Sequence, residues 1–216
     1  MGRRKELLKM YELLHEYFGD LHWWPADDSF EVIVGAILTQ NTAWTNVEKA
    51  IQALRERHLL TPAALFSIPN SELAPIIRSS GYYHLKAERL KTFVRFMIAE
   101  YAGNLEAMKM ENISKLRGKL LGLKGIGPET ADSILLYACE KPVFVIDAYT
   151  KRILCRHGMI GKDADYHTTQ ALFMDNLQPD VTFFNQYHAL IVNAGKTFCR
   201  KTAVCADCPL AILRAV

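Results

Sequence analysis

Between Leu116 and Ala131 the chain reads Leu-Arg-Gly-Lys-Leu-Leu-Gly-Leu-Lys-Gly-Ile-Gly-Pro-Glu-Thr-Ala, and this stretch restricts its folding more than any other. A helical run is cut at Gly125-Ile126-Gly127 and restarts at Pro128. Proline at a first helical position gives up no hydrogen bond. The spacing therefore predicts helix, tight turn, helix, with Ile126 as an apolar plug packed between the two. The glycines let a ligand approach the main chain. Amides at the start of the second helix make an anion site, and Lys124 adds charge beside it. Two plainer readings stand next to this one. The segment also reads as an ordinary turn between helices, or as half of a dinucleotide-binding fingerprint. The second lacks its third glycine and has no strand in front of it.

Helical spacing continues along the chain. Val47, Ala50, Ile51 and Leu54 fall at i, i+3, i+4 and i+7, as do Ala131, Ile134, Leu135 and Ala138. Leu90, Val94, Met97, Ile98 and Tyr101 form a further stripe, which Gly103 stops. The one strand-like piece, Val143 to Ile146, is too short to build a sheet. The pattern predicts an all-α chain of about ten helices. Half of the 216 residues are apolar and 23% are charged. That supplies a core and excludes disorder for most of the chain. The longest near-continuous apolar run, Val32 to Leu38, is far short of a membrane span. The basic start, Arg3-Arg4-Lys5, leads into an amphipathic helix and not into a signal-peptide core. A cytoplasmic protein is expected. The net charge of +3 suits a polyanionic partner without requiring one.

Several places break the helical pattern. Asp147 follows the apolar stretch and precedes a helix, where aspartate is a standard N-cap. A carboxylate there, in a partly dry cleft, can also stabilise positive charge developing on a sugar carbon and help orient a water. Gln40-Asn41-Thr42 reads as a polar turn with Thr42 as cap. Three of the five cysteines, Cys199, Cys205 and Cys208, fall within the last eighteen residues. Outside a secretory context such clustering suggests a metal before a disulfide. Cys139 and Cys155 lie on helical stripes and read as core thiols. His188, on an apolar helix, reads as a packing residue.

Phe30-Glu-Val-Ile-Val-Gly-Ala-Ile-Leu-Thr-Gln-Asn-Thr42, Leu123-Lys-Gly-Ile-Gly-Pro-Glu-Thr-Ala131, Val145-Ile-Asp147 and the cysteine tail follow one another in that order. Together they resemble the helix-hairpin-helix DNA glycosylases of the endonuclease III superfamily, over nearly the whole chain. The resemblance implies a two-lobed all-α fold with a C-terminal cysteine loop. One six-helix lobe, residues 29–138, would end in the hairpin, and residues 1–28 plus 139–216 would form the other. Double-stranded DNA carrying a damaged base would lie across the cleft, with that nucleotide flipped out of the duplex. Asp147 falls on the catalytic aspartate. Lys124, Gly125 and Gly127 would hold phosphate, and Gln40 would fill the gap left by the flipped nucleotide. A [4Fe–4S] cluster is expected on Cys199, Cys205 and Cys208, in a structural role. The usual fourth cysteine would fall near Arg214. A non-cysteine or water ligand, a thiolate from Cys139 or Cys155, a zinc site and a loop without metal all stay open.

One departure is informative. Bifunctional members of the superfamily carry a lysine two residues after the second hairpin glycine, and it forms an imine with the sugar. This chain has Glu129 there, and a carboxylate cannot form an imine. The expectation is a monofunctional enzyme. Trp-Trp-Pro, Leu-Thr-Gln-Asn-Thr and Gly-Ile-Gly-x-Glu look like the 3-methyladenine branch. Trp23, Trp24, Pro25 and Trp44 would form a slot that stacks a positively charged alkylated purine, through a cation–π attraction of about 0.5–2 kcal/mol, with Glu129 lining it. The alternatives are an oxidised-pyrimidine glycosylase with lyase activity, a mismatch glycosylase, and a DNA-binding module without catalysis. A monomer is expected.

Overall fold

The structure, a computed structural model, describes residues 2–21, 23, 26 and 28–213. Among them the regular elements are helical: α1 (Arg3–Phe18), α2 (Ser29–Leu38), α3 (Trp44–Arg55), α4 (Pro62–Ser67), α5 (Asn70–Ile76), α6 (Tyr83–Tyr101), α7 (Leu105–Met110), α8 (Ile113–Leu121), α9 (Pro128–Ser133), α10 (Ala148–Arg156), α11 (Tyr166–Met174) and α12 (Val181–Thr197). The all-α expectation holds. Its count of about ten falls short because α4, α5 and α7, of six or seven residues each, are too short to show a stripe. Trp24 and Pro25, two of the expected slot residues, lie outside the described residues, as does Arg214.

Chain contacts divide the protein into two compact units, residues 1–25 with 142–216 and residues 26–141. The second unit is built on α2, whose residues from Phe30 to Leu38 are all buried. Asp28 Oδ1 starts it by accepting from the Phe30 and Glu31 amides at 2.8 and 2.9 Å. Glu31 is 3% exposed and receives both oxygen contacts from Arg55 at the end of α3. Two buried lysines of α6 satisfy carbonyls at the ends of other helices. Lys86 Nζ donates to Leu38 O at 2.8 Å and Ser80 O at 2.5 Å, while Lys91 reaches Leu65 O, Phe66 O and Ile68 O. Buried helix ends need such partners. Burial lowers the Lys86 pKa to about 8, and Arg89 contributes. No helix among the described residues is long and apolar enough to cross a membrane.

Helix α6 ends in an αL cap, with Ala102 N–H on Ile98 O, and Gly103 N–H reaches back to Met97 O. Ala102 takes left-handed backbone at φ 52°, one residue ahead of the glycine that the sequence offers as the stop. A non-glycine residue there costs about 1–2 kcal/mol. Ala102→Gly is therefore expected to raise stability by about 1 kcal/mol after glycine's own entropy cost. Chemical denaturation measures it, and an unchanged midpoint would contradict the strain.

In the first unit α12 is the central helix, burying Phe184, Tyr187, His188, Leu190, Ile191 and Ala194 among others. Tyr187 Oη donates to Leu7 O in α1 at 2.7 Å. Gly195 lets α10 come close, since a Cβ there would stand 2.4 Å from Tyr149 Cδ1. Val143 to Ile146 lies outside any helix and is buried. It is held by α11: Gln170 Nε2 donates to Phe144 O at 2.7 Å, and Ile146 N–H reaches Tyr166 Oη at 3.3 Å.

Candidate functional site

This buried segment delivers Asp147 to the start of α10. Its Oδ1 accepts both the backbone N–H and the side-chain hydroxyl of Thr150, each at 2.7 Å. Its side chain is 12% exposed, and His188 Nε2 stands 3.9 Å from the same oxygen. The carboxylate is thus an N-cap, as spacing allows, and it also sits in a largely dry setting next to a buried imidazole. An anion so placed strengthens any interaction with a nearby cation, because little water screens it. His188 is buried, as its apolar helix predicts, but its place beside Asp147 is not legible from spacing: the two residues are 41 positions apart in sequence.

The hairpin belongs to the other unit. Helices α8 and α9 flank a turn in which Ile126 is 4% exposed, the plug that the sequence predicts. Gly125 has φ +90°, and a Cβ on it would meet Arg89 Nε at 2.6 Å and Arg89 Cγ at 2.7 Å. Gly127, extended at φ −90° and ψ 177°, faces open space. Lys124 and Glu129 are exposed. Helix α9 then widens into a π-turn over Ile134–Ala138, which buries all five residues.

Gln40 is tied to this turn. Its Nε2 donates to Gly125 O at 3.0 Å and to Thr130 Oγ1 at 2.9 Å, and its Oε1 accepts from Arg89 Nη1. Arg89 and Thr130 are residues that sequence reasoning missed, and their partners lie 49 and 90 positions away from them in sequence. The cap expected at Thr42 falls instead to Ala43, without a side-chain bond. Trp44 opens α3 and donates Nε1–H to Glu48 Oε1 at 2.9 Å. Trp23 belongs to the first unit, and Lys196 Nζ stands 5.3 Å from its ring centre. The chain's own cation thus lies near the ring face expected to meet a cationic base.

The tail loop follows α12. Cys199, Cys205 and Cys208 line one cavity of about 60 Å³ with Ile153, Arg156 and His157. Arg156 donates to Cys199 Sγ at 3.1 Å and to the Arg200 and Lys201 carbonyls at 2.7 and 2.9 Å. Arg152 Nε donates to Cys199 O at 2.6 Å. Among the described residues no three His, Cys, Asp or Glu side chains are grouped to hold a metal ion. The residues present do not form the four-thiolate set that a [4Fe–4S] cluster takes. Cys155 is not among the cavity's lining residues. Burial pushes the Cys139 thiol up to about 12, which suits a core thiol.

Comparison with known proteins gives a consistent picture. Residues 34–179 match the model of the HhH-GPD superfamily of base excision DNA repair proteins. A Methanocaldococcus jannaschii protein described as a DNA repair glycosylase is 45% identical over 205 residues, covering 94% of this chain and 93% of its own length. Endonuclease III of Thermotoga maritima is 29% identical over 182 residues, 84% of this chain and 80% of its own. Among solved structures, the Helicobacter pylori 3-methyladenine DNA glycosylase bound to 1,N6-ethenoadenine aligns with a TM-score of 0.77 at 28% identity, covering 91% of this chain and 98% of that one. A trapped endonuclease III–DNA covalent intermediate aligns with a TM-score of 0.84 at 23% identity, over 99% and 96% of the two chains, which speaks for the fold.

Proposed function

Because the chain belongs to the HhH-GPD superfamily of base excision DNA repair proteins, and is a DNA glycosylase of that superfamily, we propose that it is a monofunctional member. On this reading it acts as a monomer, removes an alkylated purine of the 3-methyladenine type from duplex DNA, and leaves the abasic sugar intact. The observation that carries the reading is Glu129, exposed on the first turn of α9 where a lyase would present its lysine. The likeness to a 3-methyladenine glycosylase at 28% identity supports the substrate class.

The chemistry asked of the chain is then small. A methylated adenine already carries positive charge. When the bond from C1′ to the base nitrogen breaks, its electron pair neutralises the base. Positive charge moves to the sugar, and the Asp147 carboxylate stabilises it. Water adds to C1′, and its proton passes to the carboxylate or to solvent. Lys124 and the amides at Gly125 and Gly127 hold the strand by phosphate, which positions without reading sequence. Gln40, through Arg89 and Thr130, braces the hairpin, and its amide faces the base left unpaired once those contacts open. Trp44, at the start of α3, offers an aromatic face on which the extruded base stacks.

The test is release of 3-methyladenine from DNA treated with dimethyl sulfate, read by mass spectrometry, with borohydride present in a parallel reaction. Free methylated adenine without a trapped protein–DNA adduct is the expected result. An adduct would restore the lyase reading, with Lys124 as its amine. No released base of any class would leave only DNA binding.

The cysteine loop enters this reading as a fold held by arginines, with no step of the reaction passing through it. A structural metal contributes on the order of 10 kcal/mol of folding free energy where one is required. Here Arg152 and Arg156 already pin the loop's carbonyls. Exhaustive chelation under reducing conditions is expected to shift Tm by under about 2 °C, against many degrees if a metal held the loop.

A further inference from the structure

Asp147 has a neighbour that the proposed chemistry does not use. His188 is 7% exposed at its side chain, with Nε2 3.9 Å from Asp147 Oδ1. Its ring meets Phe144 edge-on, centres 6.4 Å apart. Phe144 is itself fixed, stacked on Phe173 at 3.7 Å and bonded through its carbonyl to Gln170. The imidazole therefore stands on a rigid floor. Thr150 supplies both hydrogen bonds to Asp147 Oδ1, and Asp147 Oδ2 accepts none among the described residues. Among the described residues Thr150 alone bonds the carboxylate, and the His188 imidazole stands beside the same oxygen.

We propose that His188 is a positioning residue for Asp147: a neutral imidazole whose Nε2–H closes on the carboxylate and fixes its aim at the sugar carbon. At 3.9 Å the contact is outside hydrogen-bond range, and a small side-chain rotation brings it within. Catalytic contacts of this kind commonly tighten only in the working complex. The donor has to be uncharged. An imidazolium would pair with Asp147 and cancel the charge that the sugar cation needs, while a purely apolar ring would leave the carboxylate free to swing. Burial supports the neutral form by pressing the His188 pKa below its ordinary value, against the opposing pull of Asp147.

This inference rests on Asp147 being the carboxylate that works on the sugar, and the experiment separates the two. Single-turnover base release and lesion-duplex affinity are measured for wild type, His188→Gln, His188→Phe and Asp147→Asn. Glutamine reaches with an N–H and is expected to stay within about 3-fold of wild type. Phenylalanine fills the space without a donor and is expected to slow release about 10–100-fold, with affinity unchanged within about 2-fold. Equal rates for the two variants overturn the positioning role. If Asp147→Asn keeps full activity, the reading of Asp147 itself fails, whatever the His188 variants do. Should His188→Phe not fold, nitrogen-15 NMR of the wild-type protein decides. A neutral Nε2–H tautomer at pH 7 is expected, and an imidazolium or an Nδ1–H tautomer overturns the proposal.

Discussion

Replacing Asp147 by asparagine is expected to slow base release about 1000-fold while leaving the fold and the grip on duplex DNA intact. Asparagine caps a helix as well as aspartate does, so its carbonyl oxygen still accepts from Thr150, the partner that Asp147 has now. What the substitution removes is one negative charge. At about 4 Å, with an effective dielectric near 20, a unit charge pair is worth about 4 kcal/mol, close to three powers of ten in rate. Asp147→Ala separates the two roles from the other side. It loses charge and cap together, and so adds about 1 kcal/mol of destabilisation. The measurement pairs single-turnover release from methylated DNA with thermal unfolding. A wild-type rate within tenfold in Asp147→Asn would remove the carboxylate from the chemistry and leave it a cap.

Asp147 also marks where sequence reading stops. A cap and a catalytic carboxylate look alike in one dimension, and only the buried approach from Val143 to Ile146 and the imidazole at 3.9 Å give it a setting. The helices were legible because their cores follow the 3.6-residue period: Val47, Ala50, Ile51 and Leu54 are all buried on α3. The π-turn was not: Ala131, Ile134, Leu135 and Ala138 keep the spacing of an ordinary helix, and with all five residues from Ile134 to Ala138 buried nothing in the pattern betrays a change of pitch. Lys86 and Lys91 belong to a residue type almost never fully buried, yet both are buried, since helix ends packed inside the unit left carbonyls that needed donors. The hairpin glycines announced a turn. Their division of labour depends on Arg89, and no local pattern links position 89 to position 125.

That division yields the second large effect. Gly125→Ala is expected to cost about 2–4 kcal/mol of stability and to weaken duplex binding about 10-fold, whereas Gly127→Ala should weaken binding with little loss of stability. At Gly125 the backbone is left-handed, φ +90°, and the new methyl would stand 2.6 Å from Arg89 Nε and 2.7 Å from its Cγ. Arg89 must move, and its hold on Gln40 goes with it, so the turn loses a brace as well as its backbone comfort. At Gly127 the backbone is extended and a methyl meets nothing within 4 Å; only something arriving from outside would feel it. If that something is a phosphate, both variants lower the dependence of log affinity on log salt by about one unit, as one lost phosphate contact should. Equilibrium binding over a salt series, alongside denaturant melts, reads both quantities. Gly127→Ala with full affinity and an unchanged salt slope would take the hairpin out of DNA contact, whatever Gly125→Ala did to the fold.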